Sequence, residues 1–265
     1  MSKKMNRRDF LKHSAVGTAS ISIAGRSTTA AAFGAKGKKR PNVLFVMTDQ
    51  MRADAAGFAG NSIIKTPNLD KLAEKGVRFS NAFTQCSMCI PARFSLITGR
   101  YPHSHGVFHM GPMAEEETSI AEILAEQGYR AAVCGKMHFC NEDSNHGFEF
   151  YAYADRPDTK WDIIDKNAYI DYLRSIGKAQ YVEEPENKMA WWAPIEGLPA
   201  EFSHTAFVTD RAIDFVKEEQ EKPWLLYVSY YAPHPPYTPP KPFSEMYDRK
   251  DMIVPEYEGL VTNSK

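Results

Sequence analysis

The sequence predicts an α/β fold, a mainly parallel (mixed) sheet with helices on both faces. Three observations carry this prediction. Apolar runs of strand length stand at residues 43–47, 129–134 and 224–230. Segments with helical spacing and helix start or stop residues alternate with them. A residue able to do chemistry also stands just past each run: Asp49 after the first, Lys136 and His138 after the second, His234 after the third. In a parallel sheet those positions gather along one rim, beyond the carboxyl ends of the strands, where ligands bind.

Each element has its own signal. Val43-Leu44-Phe45-Val46-Met47 is uninterruptedly apolar, the pattern of a strand buried on both faces, and it stops at Thr48-Asp49-Gln50. Thr66-Pro67 opens a helix with a capping hydroxyl and a first-turn proline; Leu69, Leu72 and Ala73 mark its apolar face and Gly76 closes it. Residues 77–83 read as the next strand. Ser119 and Glu122 stand at capping-box spacing at the start of a helix that carries Ile120, Ile123 and Leu124 and ends at Gly128. The strand from Tyr129 then leads into Gly135-Lys136-Met137-His138. A helix through Phe207, Val208, Ala212, Phe215 and Val216 precedes the last strand, which runs into Pro233-His234-Pro235. Residues 141–200 show no clear period, hold Trp161, Trp191 and Trp192, and are expected to form an insertion or substrate-facing region.

A chain of 265 residues can bury roughly 70–75% of its unfolded surface. Its composition, 43% hydrophobic, 12% aromatic and 25% charged, excludes collagen-like, low-complexity and wholly disordered classes. The formal charge of −1 conceals an asymmetry, because residues 1–40 hold 10 basic and 1 acidic residue, leaving 22 and 32 for the body. A body near −10 is a poor general partner for nucleic acid, whose nonspecific binding rests on Lys and Arg neutralising phosphates.

Residues 1–35 are read as an export signal and residues 36–265 as the body. Asn6-Arg7-Arg8-Asp9-Phe10-Leu11-Lys12 precedes a mildly apolar stretch, residues 15–24, and a small-residue end, residues 29–35. The apolar stretch falls short of the roughly 20 residues a spanning helix needs. The order resembles a twin-arginine signal, an address read by the twin-arginine export machinery that carries folded proteins out of the bacterial cytoplasm. It implies a periplasmic or extracellular destination. No cysteine follows the expected cut closely, so lipoprotein anchoring is not supported.

Of four cysteines, Cys86 and Cys89 form a C-x-x-C pair, while Cys134 and Cys140 flank Lys136 and His138. The second spacing argues against a four-cysteine zinc site; a disulfide or redox dithiol at Cys86 and Cys89 stays open. Neither accounts for the residues after Cys89. Cys89-Ile90-Pro91-Ala92-Arg93-Phe94-Ser95-Leu96-Ile97-Thr98-Gly99-Arg100 resembles the sulfatase signature C-x-P-[SA]-R-x-x-L-x-T-G-[RK] at every defining position. The resemblance continues through residues 41–50, Thr66-Pro67-Asn68-Leu69-Asp70, Gly135-Lys136-Met137-His138, His146-Gly147-Phe148 and Pro233-His234-Pro235-Pro236, in family order. The chain thus resembles the formylglycine-dependent sulfatases of the alkaline phosphatase superfamily.

That resemblance implies an alkaline-phosphatase/sulfatase-like fold, of which this sequence corresponds to the N-terminal portion of the catalytic domain. It implies that a formylglycine-generating enzyme oxidises Cys89 to an aldehyde whose hydrate is the nucleophile. One oxygen of the diol attacks sulfur and the second hydroxyl later expels sulfate, which splits one hard hydrolysis into two steps. It implies a divalent ion, usually Ca2+, with Asp49, Gln50 and the modified Cys89 at the metal positions; Mg2+ or Mn2+ would accept the same hard oxygens. Arg93 would orient the hydrated aldehyde, Lys136 and His138 would hold the sulfuryl oxygens and nucleophile, and His234 would protonate the leaving alcohol. The physical setting agrees, since Cys89 ahead of a helix over residues 93–98 places the nucleophile near a helix N-terminus, which favours anions.

Many members carry two consecutive aspartates where this chain has Asp49-Gln50, and Gln50 points toward a subgroup that includes phosphonate and phosphate diester hydrolases. The second half of such enzymes supplies an Asp-Asn or Asp-His pair and another lysine, and nothing after His234 resembles them. Three functions therefore stand at this level. The first is a sulfatase acting on a sulfate ester, including one on a sulfated glycan. The others are a phosphonate monoester or phosphodiester hydrolase with the same nucleophile, and a noncatalytic exported binding fragment. Taken singly, Asp49 also suits a turn cap, Lys136 a solvated loop, His138 a hydrogen-bonded core position, His234 a rigid proline segment and Arg93 a surface ion pair. The ordered set is what favours a site.

Overall fold

The computed structural model describes residues 40–109, 116–138, 145–154, 167–183, 198–235, 237 and 239–252. Residues 1–35, read above as an export signal, and Cys140, Trp161, Trp191 and Trp192 lie outside the described residues. The strands are β1 (Val43–Thr48), β2 (Arg130–Gly135), β3 (Glu149–Tyr153) and β4 (Trp224–Tyr230), and the longer helices are α1 (Pro67–Lys75), α2 (Cys89–Thr98), α3 (Ile120–Glu126), α4 (Ala168–Ser175) and α5 (His204–Lys217).

The strands form one sheet in the order β1-β4-β2-β3, and every neighbouring pair is parallel. Tyr227 of β4 stands between Phe45 of β1 and Val133 of β2, and the β2–β3 register shifts between Val133 and Cys134. Side chains alternate across β4, so each face builds its own core. Leu226 and Val228 pack with Cys134, with Tyr169 and Leu173 of α4 and with Phe207, Val208 and Phe215 of α5. Leu225 and Tyr227 pack on the other face with Val133, with Ile90, Phe94 and Ile97 of α2 and with Ala121 of α3. Helices therefore cover both faces, as the alternation in sequence requires. Among the described residues no helix is long and apolar enough to cross a membrane.

Helix starts follow local chemistry where the cap is real. The Ser119 hydroxyl accepts from Glu122 N–H at 3.1 Å while Glu122 Oε2 accepts from Ser119 N–H at 2.7 Å, a closed capping box. The Ser119 hydroxyl also donates to the carbonyl of His146 at 2.6 Å. A side chain at Gly147 would lie 2.6 Å from the backbone nitrogen of Glu122, at a φ of +82°. His146-Gly147-Phe148 is thus a clamp between the start of α3 and the entry to β3. Thr66 differs from expectation. It makes no side-chain bond to the first amides of α1; its hydroxyl accepts from Gly57 N–H at 2.8 Å and donates to Asp70 at 2.9 Å, which ties α1 to the turn before it.

Several sequence expectations need correction. Among the described residues β1, read as buried on both faces, is an edge strand with Leu44 and Val46 each 55% exposed. Residues 77–83 form no strand, and Phe79 stands 79% exposed. No residue of α1 is buried, so Leu69 and Leu72 face outward, and Ile120 and Ile123 of α3 are exposed while Ala121 is buried. The reason is common to all: an apolar run states what a segment can cover, and its burial depends on what packs against it. The reading of 141–200 as an excursion also narrows. Residues 149–153 are strand β3 of the sheet and α4 puts Tyr169 and Leu173 into the core.

Candidate active site

Cys89 is the first residue of α2, with Met88 as N-cap in extended conformation. Pro91 therefore lies inside the first turn, where a missing N–H costs nothing, and the helix begins four residues earlier than its arginine suggested. The thiol is half-buried beside the free N–H groups of that turn. Arg93 follows at i+4, on the same side of the helix. It is fully buried, far from the surface partner that its charge alone would suggest.

The guanidinium reaches beneath the rim of the sheet. Its Nη1 donates to the carbonyl of Lys136 at 2.9 Å, to the Ser229 hydroxyl at 2.9 Å and to the Tyr227 hydroxyl at 3.1 Å, and its Nη2 lies 3.2 Å from Asp49 Oδ2. The Tyr227 hydroxyl passes its proton toward Met47 Sδ at 3.1 Å. Lys136, equally buried, places Nζ 2.5 Å from the same Oδ2. Burial alone would raise the Asp49 carboxyl, but the adjacent Lys136 and Arg93 charges and their hydrogen bonds outweigh it and hold the group below its ordinary value. Asp49, Arg93 and Lys136 are thus one cluster built from β1, α2 and the end of β2.

Gly135 makes the position of Lys136 available. At a φ of +94° its Cα lies so close to β4 that a Cβ would stand 2.0 Å from the Ser229 carbonyl, which instead accepts the Lys136 N–H at 2.9 Å. His138, at a φ of 59°, is buried two residues on, and its Nε2 is 3.4 Å from the Tyr231 hydroxyl. His234 is half-buried just past β4. A carbonyl can only accept, so its Nδ1–H donates to Pro235 O at 2.6 Å and Nε2 is the nitrogen left to exchange a proton. The rings of His138 and His234 both meet Tyr231. Gln50 sits exposed beside Asp49 at a φ of 60°.

A second polar contact fixes α2. The Val107 N–H donates to His105 Nδ1 at 3.2 Å, so a neutral His105 carries its proton on Nε2 and gives it to Ser95 Oγ at 3.0 Å. Burial pushes His105 down from its ordinary value, against the pull of Glu117 and with the push of Arg100 and His103. Cys86 and Cys89 are free thiols, not a disulfide, and Cys134 lies in the core, where burial pushes its thiol up to about 12.

The donor chemistry allows a test for a metal. Asp49 and Gln50 offer hard oxygens, but Oδ2 of Asp49 already faces two cations, and among the described residues no group of three or more His, Cys, Asp or Glu could hold an ion. These residues alone do not fill the six to eight oxygen positions that calcium takes.

Sequence reasoning passed over Tyr227, Ser229 and Tyr231. The available signal was polar side chains inside an apolar central strand, Trp224-Leu225-Leu226-Tyr227-Val228-Ser229-Tyr230. A buried hydroxyl there needs a partner, and Arg93 is that partner for two of them.

A parallel α/β sheet thus carries a buried carboxylate, arginine and lysine on its carboxyl rim, with a cysteine at the head of the arginine's helix. Residues 41–263 match the Sulfatase family model, and the chain belongs to the sulfatase family. It is 30% identical to an arylsulfatase of Clostridium perfringens over 82% of this chain and 48% of that protein. It is 31% identical to an ulvan-active sulfatase of Formosa agariphila over 81% of this chain and 40% of that protein. Among solved structures it is similar to the phosphonate monoester hydrolase of Agrobacterium radiobacter, with a TM-score of 0.67 and 26% identity over 81% of this chain and 45% of that one. The chain spans about half the length of the curated relatives it matches.

Proposed function

We propose that this protein is an exported hydrolase of sulfate esters that uses a formylglycine made from Cys89 together with a divalent ion. The observation that carries the proposal is the buried Asp49–Arg93–Lys136 cluster, with Cys89 one helical turn above Arg93. The family generally uses both groups; the aldehyde hydrate would supply the nucleophilic oxygen and the ion, Ca2+ or alternatively Mg2+ or Mn2+, would polarise the ester. Asp49 and Gln50 would give that ion part of its oxygen shell. Arg93 holds the carboxylate of Asp49 and the end of β4 in register with the nucleophile's helix. Lys136 and His138 meet the sulfuryl oxygens as charge spreads over them. His234, anchored through Nδ1, delivers a proton from Nε2 to the leaving alcohol. The similarity to an ulvan-active sulfatase supports a sulfated glycan as substrate. Residues 1–35 would be the twin-arginine signal and residues 36–265 the N-terminal part of the catalytic domain.

Peptide mass spectrometry on protein from the native host tests the proposal. The Cys89 peptide is expected as the aldehyde, and Cys89→Ala is expected to abolish sulfate ester turnover with the fold intact. Undiminished hydrolysis by that variant would sink the reading. A phosphonate monoester or phosphodiester hydrolase is the second reading, favoured by Gln50 and by the structural likeness to the Agrobacterium enzyme. Faster turnover of phosphonate monoesters than of sulfate esters would select it.

A further inference from the structure

Tyr231 belongs to none of the residues that first marked the site, yet its ring meets three that do. The Lys136 ammonium stands 4.4 Å from its centroid, the His138 ring meets it at 6.1 Å and 78°, and the His234 ring at 6.5 Å and 89°. Its hydroxyl is 3.4 Å from His138 Nε2, and only 2% of the residue is exposed.

Tyr231 is itself anchored by its backbone and by a further ring. It follows β4 directly, and its carbonyl accepts the His234 N–H at 2.8 Å. His204 backs it at 5.2 Å and 76°; His204 Nε2–H donates to the Ala154 carbonyl at 3.1 Å, and Tyr169 packs on His204 at 5.2 Å. That anchoring leaves the ring as the common surface on which Lys136, His138 and His234 meet. The physical use is specific. Asp49 directs one donor of the buried ammonium, while a π face attracts the cation without neutralising it or offering a competing acceptor oxygen. A second carboxylate in that place would cancel the charge that an anionic ester needs.

We infer that Tyr231 is a positioning residue: its ring sets the direction of the Lys136 ammonium and its hydroxyl sets the His138 ring. The roles of Lys136 and His138 toward an ester rest on the function proposed above; the placement does not. Tyr231→Phe keeps the ring and deletes the hydroxyl, and Tyr231→Leu deletes both. Long-range proton–nitrogen spectra of the imidazoles in the full chain provide the readout, with signals assigned from single histidine variants. In Tyr231→Phe the ring nitrogens of His138 are expected to move while those of His204, which meets the Tyr231 ring at 5.2 Å, stay in place. With an active enzyme the same variant is expected to lower kcat about 2- to 10-fold at nearly constant KM, the size of one hydrogen bond, and Tyr231→Leu to lower it further. Unmoved His138 nitrogens in folded Tyr231→Phe would overturn the inference, and that arm decides even if Tyr231→Leu does not fold. Moved nitrogens in a parent chain that turns over no sulfate or phosphonate ester would support the placement and count against the proposed function alone.

Discussion

β4 and β1 are hydrogen-bonded neighbours written in nearly the same apolar alphabet, yet they live in different environments. β4 is buried on both faces between β1 and β2, whereas β1 lies at the edge and exposes Leu44 and Val46. The exposed segment at residues 77–83 adds to the contrast. The cluster straddles the two: Asp49 comes from the end of β1, and Lys136 and the other partners of Arg93 come from the packed β4 and the end of β2. Asp49 is therefore held by charge and hydrogen bonds reaching out from the packed side as well as by the inner face of its own strand, where Phe45 and Met47 pack on the core.

Removing that charge should produce the largest effect. Asp49→Asn leaves Lys136 and Arg93 buried without their carboxylate, and about 3–5 kcal/mol of stability is expected to go, measured by urea unfolding. The pH dependence has a defined sign. Because the folded carboxyl is held below 3.8, its contribution is present above the unfolded pKa and is lost as pH falls through the folded one. Wild type should lose stability in that acid range more steeply than Asp49→Asn. Parallel curves would mean that β1 packing, not charge, places Asp49.

A matched pair of truncations breaks or sharpens the contrast between strands directly. Leu226→Ala, in the fully buried centre of β4, is expected to cost about 2–5 kcal/mol, while Leu44→Ala on β1 should stay within about 0.5 kcal/mol. Equal losses in urea unfolding would show that the outer side of β1 is covered in solution.

What was legible in sequence divides along the same line. β4 and the end of β2 could be read closely, because apolar runs bounded by turn residues do become central strands, and the polar residue past each run does reach the rim. The edge position of β1 was not legible, since strand order is decided by distant partners. β3 and α4 were hidden because Glu149 and the aromatic mix of 168–175 break the apolar periodicity, and burial of Tyr169 and Leu173 is fixed by tertiary neighbours. In the candidate site, residue types at rim positions pointed to Asp49, Lys136, His138 and His234. The grouping of Asp49 and Lys136 needed Arg93 to be buried beside Tyr227 and Ser229, and that of His138 and His234 needed Tyr231, which no local pattern in the signature states.

The smallest effect tests how α2 is tied to the packed side. His105 receives the Val107 N–H on Nδ1, so protonating that nitrogen sets two donors against each other and loses a bond of about 0.5–1.5 kcal/mol. Its folded pKa is lowered from 6.5, first by burial, with Arg100 and His103 adding to the shift and Glu117 opposing it. The bond's contribution is therefore present above 6.5 and is lost as pH falls from there through the folded value. Native-state hydrogen exchange at pH 7.5 and 5.5 reads the result by region. Acid should speed exchange in α2 and at Val107 after correction for the intrinsic rate, and His105→Asn, which keeps an acceptor near Nδ1 without a titrating ring, should remove that difference. β1 amides should respond less in either protein, because the acid-sensitive bond joins His105 and Val107 and is linked through Ser95 to the helix that carries Cys89 and Arg93; an equal response in β1 would mean that the two regions open as one unit.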